Sequence, residues 1–458
     1  MASLWQKNKE NLPEIHSILQ FVTAQIYEKV SIKVEISNCP DVDIQKAVES
    51  DSLVFKDKKV FFKDFEILRE YLVYHIIEIM ESQWSKVEKI IEIHADFSRF
   101  CRRFNLGKLE NEVLIKLANE RSKDLSNCLI KVSEFRDFEN LKYSFHKLYT
   151  SFWEVLPNIN VNSEKIISIL DAIDSDFDKG GVAIFRSIEE ICERDTHIAN
   201  NLYDQLIARK NYSFACLIFN ILQGKSKVNL SEAHQKALNL LNPDDPILCR
   251  SGISILGAFN YEDDDSGELL KLTLKKLEYF RSNFNPETDT ALVLAYKDLI
   301  KQTDEVQNIF KELASSSNPT ILKHTLDSLF DLVKSEYSKE WYKTTLKKLV
   351  NSLNLDDFSL DDLRILDYCT EEYITTNPDF SIEIIELIAN KWDFNIYNNE
   401  NLIDIFKETF RKLSNSKIEF LKYSFTQWVA SNSQKYHLLA YHIYCYFISI
   451  PVKVDNRL

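Results

Sequence analysis

Glycine is scarce in this chain. Seven glycines and nine prolines stand among 458 residues, where ordinary usage would give roughly 30 and about 23. Glycine and proline make the tight turns of sheet-rich folds, so their shortage favours long helices with short connections. Seven scattered glycines also build no Gly-x-x-x-x-Gly-Lys, Gly-x-Gly-x-x-Gly or Gly-x-Ser-x-Gly stretch. The usual markers of nucleotide hydrolysis, dinucleotide binding and serine-hydrolase chemistry are therefore missing. The eight cysteines (Cys39, Cys101, Cys128, Cys192, Cys216, Cys249, Cys369, Cys445) contain no Cys-x-x-Cys pair, which removes the close ligand pairs of a structural zinc site. Buried, reduced thiols in a cytoplasmic protein are the expectation. Met1 to Gln20 is too polar for a signal peptide. The longest apolar run, Leu438 to Val452, is interrupted by His442 and is shorter than the ~20 residues of a spanning helix. It is expected to be a buried terminal helix, and no membrane partner is expected.

What the chain does have is apolar residues at helical spacing. Hydrophobic residues make up 45% and charged residues 28%, a composition that folds rather than one that stays disordered. Charge is uneven: residues 1–160 hold 23 basic and 25 acidic side chains, a net of −2, and the remainder holds 33 against 45, a net of −12. An acidic body repels phosphate backbones, so nucleic-acid binding by the C-terminal part is disfavoured.

A mostly helical N-terminal domain is expected over 1–156. Asn11-Leu-Pro13-Glu14 has the form of a helix start. Val30, Ile32, Val34 and Ile36 alternate with polar residues, which predicts a strand near 30–37. Leu53-Val54-Phe55 and Val60-Phe61-Phe62 flank Lys56-Asp57-Lys58-Lys59 and predict a small β-hairpin. Helices follow from Phe65, over Trp84–Phe104, near Asn111–Phe135 and over Asp137–Trp153. Pro157 with Asn158, Asn160 and Asn162 predicts a linker over 157–163. Sixteen further helices are expected over 164–450, with a tail at 451–458.

Within that region, Asn242-Pro-Asp-Asp245-Pro246 precedes Leu248, Ile253, Leu256 and Phe259. Asp245 suits a helix cap and Pro246 its first position. Gly252 and Gly257 leave room for a neighbouring helix. Similar junctions stand at Asn285-Pro286, Asn318-Pro319 and Asn377-Pro378. Prolines 246, 286 and 319 are 40 and 33 residues apart, and Pro378 lies 59 further on, spacings near those of helical-hairpin repeats. The stretch from Asp245-Pro246 through Arg250 to Leu256-Gly257 resembles the second half of a HEAT-like repeat. Arg250 sits one residue closer to Leu256-Gly257 than the usual pattern. The resemblance covers about twenty residues of one repeat. It implies a mainly α fold, an α-solenoid of HEAT-like hairpins whose inner surface binds a partner, and it brings no catalytic residue.

Candidate sites are few. Asp174-Ser-Asp176-Phe-Asp178-Lys179-Gly180 has the spacing of a calcium loop's start, but an EF-hand needs Gly at position 6 and Glu at position 12. Lys179 and Phe185 stand there, so a solvated acidic turn is expected. Glu262-Asp263-Asp264-Asp265 reads as an acidic connector before a helix N-terminus. His75 with Glu78, and His94 beside Glu92, do not supply convergent metal ligands. His437, Tyr441, His442 and Tyr444 form an aromatic stripe expected in core or interface. No catalytic residue, metal or cofactor is assigned, although paired acids without a sequence signature leave an enzyme open.

In Phe97-Ser-Arg99-Phe100-Cys-Arg102-Arg103-Phe104 the aromatic residues share one helical face and Arg99, Arg102 and Arg103 the other. Such a basic face can grip carboxylates or phosphate. Trp341, Trp392 and Trp428 are partner anchors if exposed and core if not. The expected function is a non-enzymatic scaffold or adaptor for a protein or peptide partner with basic segments. The alternatives are nucleic-acid binding through the N-terminal basic patch, or a regulatory component of a microbial defence system.

Overall fold

The computed structural model describes residues 53–56, 59–62, 65–104, 106, 108–132, 142–173, 181–209, 214–262, 264, 266–283, 285–334, 339–392 and 402–449. The expected helix start at 11–14, strand at 30–37, acidic turn at 174–180 and tail at 451–458 lie outside them. Described residues are overwhelmingly helical and no helix among them is long and apolar enough to cross a membrane. Two four-residue strands, β1 (Leu53–Lys56) and β2 (Lys59–Phe62), pair antiparallel with Val54 opposite Phe61.

The chain divides into two compact units, Met1–Val228 and Asn229–Leu458. In the first, the helices are α1 (Phe65–Ser82), α2 (Val87–Phe104), α3 (Leu109–Asn119), α4 (Leu125–Val132), α5 (Lys142–Val155), α6 (Ser163–Ile173), α7 (Gly181–Arg194), α8 (Thr196–Ala208) and α9 (Ala215–Ser226). The expected helix over 111–135 is two helices. Ser122 takes a left-handed backbone at φ 52°, and Asp124 then accepts the Asn127 amide at 3.0 Å to start α4. The stretch 157–163, expected as a linker, lies inside this unit. Pro157 shares a single 3-10 turn, Leu156–Asn158, and Asn162 accepts the Lys165 amide at the start of α6.

The second unit holds α10 (Leu230–Asn239), α11 (Pro246–Ala258), α12 (Glu268–Ser282), α13 (Asp289–Leu299), α14 (Glu305–Leu313), α15 (Pro319–Leu332), α16 (Lys339–Ser352), α17 (Leu360–Glu371), α18 (Pro378–Lys391), α19 (Leu402–Ile405), α20 (Lys407–Ser416), α21 (Ile418–Ala430) and α22 (Gln434–Ser449). Asp245, Asn318 and Asn377 cap α11, α15 and α18, each with proline in the first turn. Asn285-Pro286 behaves differently: Asn285 takes the Glu287 amide into a turn, and α13 begins only at Asp289. The helix expected over 399–413 is interrupted after Ile405, giving the short α19 and then α20.

Within each unit most helices pack on the next but one, and after α17 the partners lie further along the chain. In the first, α1, α3, α5, α7 and α9 form one series and α2, α4, α6 and α8 another. In the second, α11, α13, α15, α17 and α20 form one series and α14, α16, α18 and α22 another. Hydrogen bonds between helices that are not neighbours in sequence span 34 residues at Thr290–His324, 39 at Thr370–Thr409 and 42 at Trp428–Glu386. Glycine permits two close approaches. A Cβ on Gly257 of α11 would lie 2.3 Å from Ala295 Cα of α13, and one on Gly224 of α9 would lie 2.2 Å from the Glu189 carbonyl oxygen of α7.

Candidate functional site

Arg99 and Arg102 of α2 are exposed and engaged within the fold. Phe97, Phe100 and Cys101 are buried, which turns Arg99 and Arg102 outward. Arg99 pairs with Asp96 one turn earlier. Arg102 donates to the Tyr143 hydroxyl of α5 at 2.7 Å, and that bond holds the phenol below its ordinary pKa. The side chain of Arg103 lies outside the described residues. Exposed pairs of this kind contribute about 0–1 kcal/mol, so a stronger acidic ligand can displace them.

The three tryptophans are core. Trp341 is 5% exposed and gives its indole N–H to the Gln307 carbonyl at 2.9 Å. Trp392 is buried. Trp428 is also buried and donates to Glu386 Oε1 at 2.6 Å. Each is occupied in packing, which removes all three as surface anchors. The indole N–H groups of Trp341 and Trp428 find partners inside the fold, which lets a large ring be buried without an unmet donor.

Titratable groups also serve the fold. Asp264 takes the Leu269 amide at 2.8 Å, as an acid before a helix N-terminus should. Its carboxyl sits below the ordinary range because Ser266 and nearby amides donate to it. His75 contacts Glu78 at 3.8 Å on α1. His94 is buried with neither ring nitrogen hydrogen-bonded. Burial, helped by the charge of Lys147, pushes its pKa down to about 3. Among the described residues no three His, Cys, Asp or Glu side chains converge on a metal-sized space.

The exposed face of α13, α15 and α17 carries a feature that the periodicity did not reveal. Phe330 of α15 and Tyr368 of α17 are 40% and 51% exposed, with ring centroids 5.6 Å apart. Leu294 of α13 is exposed on the same series of helices. Lys323–Asp362 at 2.6 Å and Lys334–Glu372 at 3.4 Å link α15 to α17 on either side of the ring pair in sequence. Lys297–Asp331 at 2.9 Å links α13 to α15. One signal was readable. Leu329 is buried beside Phe330, and consecutive residues on a helix point about 100° apart.

The aromatic stripe of α22 is split. Leu439, Ala440 and Ile443 are buried, while Tyr441 and Tyr444 are exposed. The terminal helix is thus half covered, not buried as expected. His437 reaches the Ser431 carbonyl at 2.7 Å, and burial holds His442 below the ordinary histidine pKa. No family model matches the chain, and no curated protein proves to be a significant relative.

Proposed function

We propose that the chain is a non-enzymatic scaffold of HEAT-like helical hairpins that holds a protein or peptide partner. Stacked hairpins bury their own apolar faces against one another and leave a long concave surface for binding. The observation that carries the reading is the exposed Phe330–Tyr368 pair on successive helices of one series, braced by cross-helix ion pairs. Two rings held by their own scaffold lose little freedom on binding, and aromatic residues dominate interface energetics. Residues 161–458 carry a net charge of −12, which suits a partner with basic segments and a salt-sensitive association.

The test is capture of the tagged full chain from its native host, with and without nuclease, followed by mass spectrometry. The expected result is a protein retained after nuclease and released by salt. Capture that disappears with nuclease moves the function to nucleic-acid binding and overturns the scaffold reading.

A further inference from the structure

The last three helices enclose a groove of about 1100 Å³. One wall is α20, with Arg411 at the edge; another is α21, with Ile418, Leu421 and Phe425; the third is α22, with Ile443 and Tyr444. Leu421 and Ile443 are buried at its base, whereas Ile418 is 43% and Tyr444 57% exposed at its mouth. Ile418, Leu421 and Phe425 follow one another at spacings of three and four, a single stripe down α21. Such a trough is shaped for the apolar stripe of one more helix.

Charge selects among helices. The chain as a whole has a net charge of −14. Residues 402–449 reverse that sign: Lys407, Arg411, Lys412, Lys417, Lys422 and Lys435 stand against Asp404, Glu408 and Glu419. The groove's own lining holds Arg411 and Lys422 and no carboxylate. Both cations pair with an acid three residues earlier, Arg411 with Glu408 and Lys422 with Glu419, and both are well exposed. Surface pairs at that spacing are weak, so a carboxylate arriving with an apolar helix can share or replace the partner.

We propose that this groove docks an amphipathic helix of a partner protein whose apolar stripe is flanked by acidic residues. It deepens the scaffold reading and rests on it. It also separates two kinds of contact on one chain, a protein or peptide segment on the Phe330–Tyr368 face and an acidic helix here.

The experiment uses the full chain and a labelled helical peptide of about 18 residues, roughly 27 Å long, read by fluorescence anisotropy. The peptide places leucines at i, i+3, i+4 and i+7 with glutamates beside them; a second version carries lysines in place of the glutamates. The glutamate peptide is expected to bind at least about tenfold more tightly than the lysine peptide. Ile418→Glu should weaken it by about tenfold or more, and so should Lys422→Glu combined with Arg411→Glu. All three substitutions fall on exposed positions, so an unchanged melting curve checks that folding is intact. Equal binding of the two peptides, or binding indifferent to Ile418→Glu, overturns the proposal. So does a concentration-dependent dimer abolished by Ile418→Glu, which gives the groove to a second copy. Anionic vesicles floating the wild type but not that variant would give it to a membrane surface and overturn it likewise. If these peptides fail while the native-host capture still yields a nuclease-resistant partner, the groove assignment falls and the scaffold reading stands.

Discussion

Asp367 of α17 caps α20 through space. Its Oδ1 accepts the Thr409 amide at 2.8 Å and its Oδ2 the Glu408 amide at 2.9 Å, 42 and 41 residues away in sequence. A helix N-terminus presents amides that no internal carbonyl can satisfy, and here the preceding helix of the same series supplies the acceptor. Thr370 and Thr409 add a hydroxyl contact at 2.8 Å across the same seam. Burial raises the Asp367 pKa, and the amides that donate to it oppose the shift. The cap therefore ties adjacent hairpins together as well as ending one helix.

Removing that tie should be costly. Asp367→Ala leaves two amides of α20 without their acceptor, at least one of them buried, and loss of a cap alone costs about 0.5–2 kcal/mol. A destabilisation of about 2 kcal/mol or more is expected, read as a lower urea midpoint. A midpoint within about 0.5 kcal/mol of wild type, the range of an ordinary surface change, would show that water replaces the carboxylate at this seam.

His94 sets an acid limit on the first unit. Its pKa is near 3 in the fold against 6.5 as a free group, so the unfolded chain binds the proton first as pH falls. The linked stability is fully present above about pH 6.5 and is lost progressively as pH drops through 6 and 5 toward 3. Between pH 6 and pH 5 this one group should remove about 1 kcal/mol. His94→Leu, similar in size and without the titration, should show a correspondingly flatter slope in urea unfolding across that interval. Parallel slopes for the two proteins would mean that His94 is protonated at little cost in the fold.

Gly257 tests how tightly α11 and α13 are pressed together. Alanine is the better helix former by about 1 kcal/mol, so on propensity alone Gly257→Ala should stabilise. The new Cβ would instead sit 2.3 Å from Ala295 Cα and 2.8 Å from its carbonyl oxygen, neither of which can swing aside. Net destabilisation of about 1–3 kcal/mol is expected. Adding Ala295→Gly removes the 2.5 Å clash with Cβ only, so rescue in thermal melts should be partial. A raised melting temperature for Gly257→Ala would refute the close approach.

Much of this was legible in the residues. Asp245-Pro246, Asn318-Pro319 and Asn377-Pro378 start helices because each puts a short polar acceptor before a residue whose missing N–H costs nothing there. Gly252 and Gly257 likewise stand where helices meet. Asn285-Pro286 has the same letters but feeds a turn, since Asn285 bonds Glu287 and the helix waits for Asp289. The break at Ser122 carries no glycine or proline and was missed; Asp124 was its only local sign. The tryptophans were readable as core or anchor but not as which of the two; the acceptors that serve Trp341 and Trp428, on Gln307 and Glu386, lie 34 and 42 residues away. Exposure of Phe330 and Tyr368 depends on neighbours equally remote in sequence.

That ring pair supplies the sharpest functional prediction. Phe330 and Tyr368 are 40% and 51% exposed, so truncating them creates no enclosed cavity, and each single alanine variant should melt close to wild type, within about 0.5 kcal/mol. Interface aromatic anchors, by contrast, typically lose 2 kcal/mol or more on truncation, about thirtyfold in affinity. The Phe330→Ala/Tyr368→Ala double variant should therefore fold normally and fail to capture the native partner. Trp341→Phe works as the opposite control: it disturbs a buried ring and its bond to Gln307, so it should lower the melting temperature while partner affinity in the folded fraction holds. If the double variant captures as well as wild type, the exposed rings are surface ornament on this series of helices, and the binding face must be sought elsewhere on the chain.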